Sequence, residues 1–323
     1  MSRRELCVLF SSAGRRVELI QCFRAAAARL DVTLRVIACD RRPELSAACH
    51  TADRAYAVPS CDDEAFIDAV ADICRTENVD LVVPTIDPEL LPFSLNAERL
   101  AVAGTRIHVS PPLVVEIARD KLRTMHTFHR AGLAVPRTDT LENARQAISD
   151  WTWPVFVKPR SGSASRSISV IHEPSGLPKD FAEPMIVQEY LSGPEYTISM
   201  FIDRDGVARS CIAHERLSVR AGEVEKGRTV RLAELPALAR GMAEALPDAR
   251  GALCFQAIAD ATRGLQVIEL NARFGGGYPL ADHAGACFAQ WLLEEVAGLP
   301  VSANDDWRDG VLMLRYDQAL FDG

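Results

Sequence analysis

The sequence predicts an α/β fold built on a doubly wound parallel sheet, followed by an α+β region whose strands run antiparallel. Up to about residue 110, short apolar segments alternate with amphipathic segments of helical period. From residue 185 onward, apolar segments are joined by turns, and a helical segment follows near the end. Continuous apolar strands separated by amphipathic helices are typical of a parallel sheet that is covered on both faces.

The first section, residues 1–110, contains the predicted parallel sheet, with strands over residues 6–10, 34–39 and 81–83 and helices over 17–30 and 64–76. Right-handed crossovers place the carboxyl ends of such strands at one edge of the sheet, where α/β proteins bind ligands. Polar residues near these ends make three positions candidates for contact with a charged or amino-acid-like substrate: Arg15, Asp87 and Glu89. A surface ion pair or a helix cap explains each of them equally well.

A dinucleotide-binding domain is the obvious alternative for this section. It requires G-x-G-x-x-G after the first strand, because the glycines let the backbone approach a pyrophosphate. This chain has S-S-A-G-R-R at that point, with one glycine where three are needed. A nicotinamide-dependent dehydrogenase is therefore not expected.

The second section, residues 111–184, and the third, residues 185–323, complete the predicted organisation. A helix over residues 119–130 opens the second section, and strands over 155–158 and 168–171 enclose a loop of small residues. In the third section, strands are predicted over 185–189, 197–202, 254–260 and 265–269, and a helix over 288–296. The pattern of short strands and few helices predicts an antiparallel sheet.

The composition indicates a globular protein that binds neither nucleic acid nor membrane. Of 323 residues, 48% are hydrophobic and 25% charged, and the formal net charge of −8 opposes binding to a nucleic-acid backbone. No apolar run approaches the length of about 18 residues that predicts a membrane span, and the start of the chain lacks a signal-peptide cleavage pattern. The nine cysteines are dispersed, so we expect a cytoplasmic protein without a zinc site.

A loop of small residues is the first candidate binding element. Lys158 ends the preceding strand, and the loop then supplies Ser161, Gly162, Ser163 and Ser165. Small residues let backbone N–H groups approach an anion closely. The loop is not a Walker loop, because it lacks G-x-x-x-x-G-K and leads into a strand. A plain hairpin explains it as well.

The segment I-V-Q-E-Y-L-S-G-P-E-Y is the second candidate. Its strand ends at Gln188, Glu189, Tyr190 and Leu191, where the main-chain edge is able to hydrogen-bond an adenine. Glu195 follows after a short turn and is able to accept hydrogen bonds from ribose hydroxyls. A solvated turn is the alternative interpretation.

The third candidate is the strongest signal in the sequence. Glu269 and Asn271 are two apart on a predicted strand, so their side chains share one face. A hairpin turn centred on residues 262 and 263 places Gln256 opposite Glu269. Oxygen ligands with a single full charge suit Mg²⁺, and Arg273 follows just beyond. A polar ladder that satisfies its own hydrogen bonds is the alternative, and the metal site is the better interpretation of the whole set.

Together these segments resemble the ATP-grasp superfamily, in particular a single unit similar to those of the carbamoyl phosphate synthase large subunit. The resemblance runs from residue 6 to residue 316. It implies a pre-ATP-grasp α/β domain over residues 1–110, an N-terminal ATP-grasp subdomain over 111–184 and a C-terminal subdomain over 185–323. The two subdomains would close on ATP between their sheets.

The resemblance also implies roles for individual residues. Lys121, in R-D-K-L, and Lys158 would contact the phosphates of ATP beneath the loop of residues 161–165. Glu189 and Leu191 would meet adenine through the main chain, and Glu195 would bind ribose. Metal ligands for one or two Mg²⁺, with Mn²⁺ as a substitute, would be Gln256, Glu269 and Asn271.

Arg273 would stabilise the transferring phosphoryl group, so that Arg273 and Lys158 are the implied catalytic residues. The segment R-A-G-E-V-E-K-G-R-T is similar to the mobile loop of the family, which makes Lys226 and Arg228 candidates for substrate contact. Gly276, in the glycine run after Arg273, is a further candidate. Gln256 supplies a neutral oxygen where many relatives have a carboxylate, so one Mg²⁺ is better supported than two.

The predicted function is an ATP-dependent carboxylate–amine ligase that forms an acyl phosphate and releases ADP and phosphate. A single unit argues against carbamoyl phosphate synthesis, which uses two units and a glutamine-hydrolysing partner. Two alternatives stay open: a phosphotransferase or carboxylase-like enzyme acting on a carboxylate or bicarbonate, and a non-catalytic nucleotide-binding module. The expected partners are a small carboxylate and a small amine, together with a second copy of the chain in a homodimer.

Overall fold

The computed structural model describes residues 4–102, 104–162 and 167–322. The strands of these residues form three sheets that follow one another along the chain, with five, four and six strands. The α/β and α+β class predicted from the sequence is confirmed. Across the described ranges, no helix combines the length and the apolar character that a membrane crossing demands.

The first sheet is parallel and has the order β3-β2-β1-β4-β5. Because the strand order reverses between β1 and β4, their carboxyl ends form the switch point where α/β sheets bind ligands. The strands are β1 (Glu5–Ser11), β2 (Thr33–Asp40), β3 (Arg54–Ala57), β4 (Leu81–Pro84) and β5 (Arg106–Ile107). The helices are α1 (Val17–Arg29), α2 (Ala47–Thr51), α3 (Phe66–Glu77), α4 (Leu90–Leu95) and α5 (Ala97–Val102).

The helix predicted over residues 119–130 is divided at Asp120 into two helices, α6 (Pro112–Arg119) and α7 (Lys121–Arg130). Asp120 takes an extended backbone conformation, and its carboxylate accepts from the Arg123 N–H at 3.1 Å. Such a side-chain cap satisfies a backbone donor that the helix leaves open at its start. Lys121 is therefore the first residue of α7, and this fixes its position beside the second sheet.

The second sheet is antiparallel and has the order β6-β9-β7-β8. Met185–Glu189, which the sequence assigned to the third section, pairs with two strands of this sheet instead. The second sheet therefore takes its last strand from beyond residue 184. The elements are β6 (Thr138–Thr140), α8 (Leu141–Gln146), β7 (Val155–Pro159), β8 (Ser169–Ile171) and β9 (Met185–Glu189).

The third sheet has the order β14-β13-β10-β11-β12-β15 and is antiparallel throughout. Its strands are β10 (Glu195–Ile202), β11 (Ala208–Arg220), β12 (Glu223–Val230), β13 (Gly251–Asp260), β14 (Gly264–Asn271) and β15 (Leu312–Leu314). The helices of this region are α9 (Leu235–Ala245), α10 (Tyr278–Ala284) and α11 (Phe288–Ala297).

The segment interpreted as a mobile loop is a long hairpin, formed by β11 and β12. Its two-residue turn has positive φ at Ala221 (51°) and Gly222 (79°), the conformation that a tight hairpin turn requires. Charged residues occupy many positions of both strands, because one face of the hairpin is open to solvent. Because of this composition, neither strand contains a long apolar run, and neither was predicted from the sequence.

The predicted pairing of Gln256 with Glu269 is confirmed, although the part of the hairpin between this pair and the turn pairs in a different register from the one predicted. The turn between β13 and β14 has one residue more than expected, so Asp260 pairs with Gly264. A register shift at Ile268 then compensates for the extra residue. A β-bulge of this kind re-aims the side chains that follow it.

A shared core joins the first sheet to the last helices of the chain. Phe23 of α1 makes edge-on contacts with Phe10, at 5.1 Å between ring centroids, and with Phe274, at 5.9 Å. Tyr278 and Trp291, from α10 and α11, belong to the same buried cluster. The switch point of the parallel sheet is therefore held next to the end of β14.

Candidate active site

A cavity of about 910 Å³ lies between the second and third sheets and reaches the switch point of the first. Most of the residues singled out from the sequence line it, although they come from all three sections. These residues are Arg15, Asp87, Lys121, Lys158, Ser161, Gly162, Gln188, Glu189, Tyr190, Leu191, Glu195, Gln256, Glu269, Asn271, Arg273 and Gly276.

Three predicted substrate residues do not line the cavity. Glu89 is fully buried, and its carboxylate accepts from the Ser11 and Ser12 hydroxyls and from two backbone N–H groups. It therefore holds the switch point together instead of facing a substrate. Lys226 and Arg228 are exposed, because β12 alternates and turns the buried Gly227 and Thr229 inward. Ser163 and Ser165 lie outside the described residues.

Two lysines stand where the second sheet meets the third. Lys158, at the end of β7, is 6% exposed, and its Nζ donates to the backbone oxygen of Ile268 at 3.1 Å. Lys121 donates to the Gly162 oxygen at 2.5 Å and lies 3.4 Å from Glu269 Oε1. Both ammonium groups thus face the space between the sheets, next to the small-residue loop.

The charge of Lys158 is costly in this setting. Burial, with a smaller effect of the nearby Lys121, lowers its pKa to about 8 against the opposing effect of the Glu269 carboxylate. Phe156 adds an apolar neighbour, with the ring centroid 5.8 Å from Nζ. A polyphosphate bound between the lysines would relieve this cost, because its negative charge favours the protonated form of Lys158.

Apolar side chains line the cavity from both sheets near the end of β9. Phe156 and Val170 come from the second sheet, and Ile258 and Ile268 from the third. Glu189 turns its carboxylate outward, accepting from the Arg137 N–H at 3.0 Å and from Arg263 Nη1 at 3.2 Å. This leaves an apolar slot bordered by the main chain at the end of β9, the surroundings that an aromatic base requires.

Arg216, on β11, is a site residue that the sequence interpretation missed. Its side chain is 7% exposed, lies 3.1 Å from Glu195 Oε1, and donates to Thr197 Oγ1 and to the Gly222 oxygen. Burial raises the pKa of Glu195 in spite of this pairing. Recognising β11 as a strand was the signal that could have found Arg216, since its side chain then faces the interior.

The predicted metal ligands converge as expected, but they are not equivalent. The Gln256 amide satisfies both of its neighbours in one orientation, with its nitrogen donating to Glu269 Oε2 (3.1 Å) and its oxygen accepting from Arg216 Nη1 (3.2 Å), and we assign the amide that way round. In this arrangement Gln256 orients Glu269, and the oxygen donors that remain are those of Glu269 and Asn271.

These two donors fit a particular kind of cation. Within the described ranges, no group of three or more His, Cys, Asp or Glu side chains is placed to hold a metal. One carboxylate with an amide oxygen fits Mg²⁺, which shares its coordination sphere with phosphates and waters, and does not fit zinc.

Arg273 links the third sheet to the first. Its Nη2 donates to Asp87 Oδ2 at 2.6 Å and contacts Asn271 Oδ1 at 3.4 Å, and Nη1 donates to the Phe274 oxygen. Burial disfavours its charge, but Asp87, together with the nearby Cys254 and Glu269, outweighs burial and raises the pKa of Arg273. A permanent positive charge therefore stands beside the oxygen donors.

The tip of the β11–β12 hairpin closes the cavity against the first sheet. Glu223 lies 3.1 Å from Arg16 Nη1 and 3.1 Å from Arg315 Nη1. A Cβ atom at Gly276 would lie 2.6 to 2.7 Å from the Glu223 carboxylate, which explains the glycine at this position. Burial opposes the charge of Glu223, yet the two arginines lower its pKa.

Comparison with known proteins agrees with this geometry. Residues 118–277 match the family model described as an ATP-grasp domain, and residues 8–108 match the model described as a PylC-like N-terminal domain. Together the two matches cover nearly all of the first sheet, the whole of the second and every strand of the third except β15.

Individual relatives are more distant. The formate-dependent phosphoribosylglycinamide formyltransferase of Prochlorococcus marinus (strain MIT 9303) is 30% identical over 198 residues, covering 56% of this chain and 48% of its own. The chain spans about half the length, or less, of the curated relatives it matches.

Solved structures with a similar fold include two enzymes. The L-amino acid ligase of Bacillus licheniformis has a TM-score of 0.71 at 19% identity, with 95% of this chain and 78% of that one covered. Biotin carboxylase of Campylobacter jejuni has a TM-score of 0.75 at 15% identity, with 95% and 74% covered. At these identities the likeness establishes the fold.

Proposed function

We propose, from the premise that this chain belongs to the ATP-grasp family, that it is an ADP-forming ligase which joins a carboxylate to an amine through an acyl phosphate. One observation carries the proposal. Lys121, Lys158 and Arg273 converge in a single cavity around the oxygen donors of Glu269 and Asn271. Such a cluster suits phosphoryl transfer, which depends on positioning and charge neutralisation more than on a protein nucleophile.

ATP would lie between the second and third sheets. The apolar slot at the end of β9 would hold the adenine, with the main chain of residues 189–191 along its edge. Glu195, held by Arg216, would accept hydrogen bonds from the ribose hydroxyls. The two lysines would bind the phosphates, and Ser161 and Gly162 would approach them through the backbone.

Glu269 and Asn271 would hold Mg²⁺, with Gln256 orienting the carboxylate. When bound, the metal supplies charge neutralisation for the phosphate oxygens. Binding would release Lys121 from its contact with Glu269, since the carboxylate then faces the metal and the ammonium faces a phosphate. One carboxylate among the donors supports one Mg²⁺ better than two.

Transfer would take place next to Arg273. The substrate carboxylate would attack the γ-phosphate, and the guanidinium would stabilise the charge that develops on the transferred group. An amine would then displace phosphate from the acyl phosphate, leaving an amide. Asp87 keeps the guanidinium in place throughout, because its carboxylate fixes Nη2 at 2.6 Å.

The acyl phosphate needs protection from water. The hairpin tip at Ala221–Gly222 and the glycine run of residues 275–277 both line the cavity next to Arg273. Closure by these segments would exclude water from the intermediate.

The test is ADP release from Mg-ATP with a panel of amino acids and small carboxylates, each with and without a second amine. Release that needs both partners is the expected result. Release with a carboxylate alone would favour the phosphotransferase. If no member of the panel causes ADP release although the protein binds Mg-ATP, the non-catalytic module would be favoured.

The division into three parts, with the second boundary within residues 190–194, belongs to the same proposal, as do a cytoplasmic location and a homodimer. The organisation is supported by the three sheets. Limited proteolysis checks the boundaries, and light scattering checks the dimer.

A further inference from the structure

The end of the cavity next to the first sheet has a surplus of positive charge. Among the described residues, three guanidinium groups line it, from Arg15, Arg16 and Arg273, against the carboxylates of Asp87 and Glu223. Asp87 is engaged by Arg273, at 2.6 Å. Glu223 is shared, because Arg315 approaches it from behind the cavity wall at the same distance as Arg16.

Arg15 is the arginine of this group that has no ion-pair partner among the described residues. It lies in the connection between β1 and α1, is exposed, and faces the cavity. Its guanidinium makes no hydrogen bond or ion pair with any residue that the structure describes, and its charge acts on Glu223 and Asp317 only at longer range.

Arg16 shows that the positive charges crowd one another. Its side chain is 20% exposed. Burial lowers its pKa, and the neighbouring Arg273 and Arg315 lower it further, although Glu223 opposes both effects. Like charges at such close quarters destabilise one another unless an anion joins them.

Other roles for these arginines fit less well. ATP phosphates have their own cations, Lys121 and Lys158, on the other side of Arg273 between the second and third sheets. A purely structural ion pair describes Arg16 but not Arg15, which has no partner among the described residues. An anionic group of a bound molecule accounts for both.

We propose that the substrate bound at this end carries an anionic group besides its reacting carboxylate, a second carboxylate or a phosphate, held by Arg15 with the help of Arg16. The inference rests on the proposed function, because it divides one cavity between ATP and this substrate. Arg15 then determines specificity: it touches a part of the substrate that does not react. A substrate without that group would bind less tightly.

The experiment uses the full chain saturated with Mg-ADP, which occupies the lysines, at low ionic strength to limit screening. Isothermal titration with inorganic phosphate and with succinate, and with neutral succinamide as the matched probe, is carried out on wild type, Arg15→Gln and Arg15→Lys. Arg75→Gln is the control, because Arg75 is an exposed arginine of α3 that pairs with Asp72 and does not line the cavity.

We expect saturable binding of at least one anion, weakened about tenfold or more in Arg15→Gln and largely retained in Arg15→Lys and Arg75→Gln, with succinamide inert. Preference for phosphate indicates a phosphorylated substrate, and preference for succinate a dicarboxylate. The proposal is overturned if neither anion binds the Mg-ADP complex, or if Arg15→Gln binds as wild type does. Loss of Mg-ADP binding itself would instead count against the proposed function, and the comparison of Arg15 variants without nucleotide still tests this inference.

Discussion

Arg273 Nη2 lies 2.6 Å from Asp87 Oδ2, although 186 residues separate the two in the chain. Asp87 follows β4 at the switch point of the first sheet, and Arg273 follows β14 at the edge of the third. The contact brings the cation expected at the transferring phosphoryl group to the place where the first sheet would present a substrate. This ion pair thus holds the residue proposed to stabilise the phosphoryl group next to the proposed substrate site.

Replacing Arg273 should separate chemistry from nucleotide binding. Arg273→Ala removes charge from the transition state, so kcat should fall by about 10²- to 10³-fold, whereas Mg-ADP affinity should change little. Steady-state kinetics and calorimetry measure the two quantities. Asp87→Asn is the companion variant, because it keeps the side-chain shape and frees the guanidinium. Turnover retained in Arg273→Ala would remove the role assigned to this residue.

Lys158 should make nucleotide affinity depend on pH. Its pKa of about 8 means that the ammonium loses its proton as pH rises through 8, whereas phosphate binding needs the charged form. Above this pH, binding must take up a proton, so the Kd for Mg-ADP should rise by up to about tenfold per pH unit. Below it, Lys158 is already charged and contributes no pH dependence.

The matched variant for this prediction is Lys158→Arg. A guanidinium stays charged across the pH range tested, so the rise in the Kd for Mg-ADP above about pH 8 should disappear. Calorimetry from about pH 7 to about pH 9 decides the matter. If the Kd for Mg-ADP rises above about pH 8 in Lys158→Arg as it does in wild type, another group is responsible for the pH dependence.

Glu269→Gln should weaken the metal site while preserving its shape. Because Glu269 is the single carboxylate among the expected ligands, the Mg²⁺ concentration needed for half-maximal ADP release should rise at least about tenfold. Glu215→Gln, on β11 and outside the cavity lining, is the control. An unchanged Mg²⁺ requirement would place the metal on other residues.

The connection between β9 and β10 should tolerate no side chain at Gly193. A Cβ atom there would lie 2.0 Å from the backbone oxygen of Ala259, and the Pro194 oxygen accepts from the Ala259 N–H close by. Gly193→Ala should therefore lower the free energy of unfolding by about 2 kcal/mol or more, as measured in urea.

Gly206→Ala provides the comparison for this loss. Gly206 has φ of +77° but open space around it, so backbone strain alone should cost about 1 kcal/mol. If Gly193→Ala lowers the free energy of unfolding no more than Gly206→Ala does, the connection does not pack against β13 as closely as in the structure.

Much of the site was predictable because it is encoded locally. Lys158 at the end of a strand, and Glu269, Asn271 and Arg273 in alternation, follow from apolar periodicity and from the two-residue repeat of a strand. The pairing of Gln256 with Glu269 was predicted correctly for a reason that was partly wrong. The longer turn and the bulge at Ile268 shift the register in opposite directions and cancel.

What was missed depends on contacts between distant segments. Arg216 and Glu223 lie on a hairpin whose strands carry many charges, so no apolar run marks them. Glu89 and Asp87 are two residues apart after the same strand, yet one is sealed in by four donors and the other faces Arg273. Nothing in the spacing distinguishes them, since the difference lies in what packs against each.

The sequence by itself determined the α/β and α+β class, many of the strands and helices and the polar residues at strand ends, because periodicity and spacing are properties of a short stretch of chain. Only the tertiary structure decided that β9 belongs to the second sheet, that the hairpin tip reaches Arg16, and that Arg15 is left without a partner among the described residues. These features arise from pairing and packing between segments far apart in the chain. Their free energies depend on burial and on neighbouring charges, which local sequence does not specify.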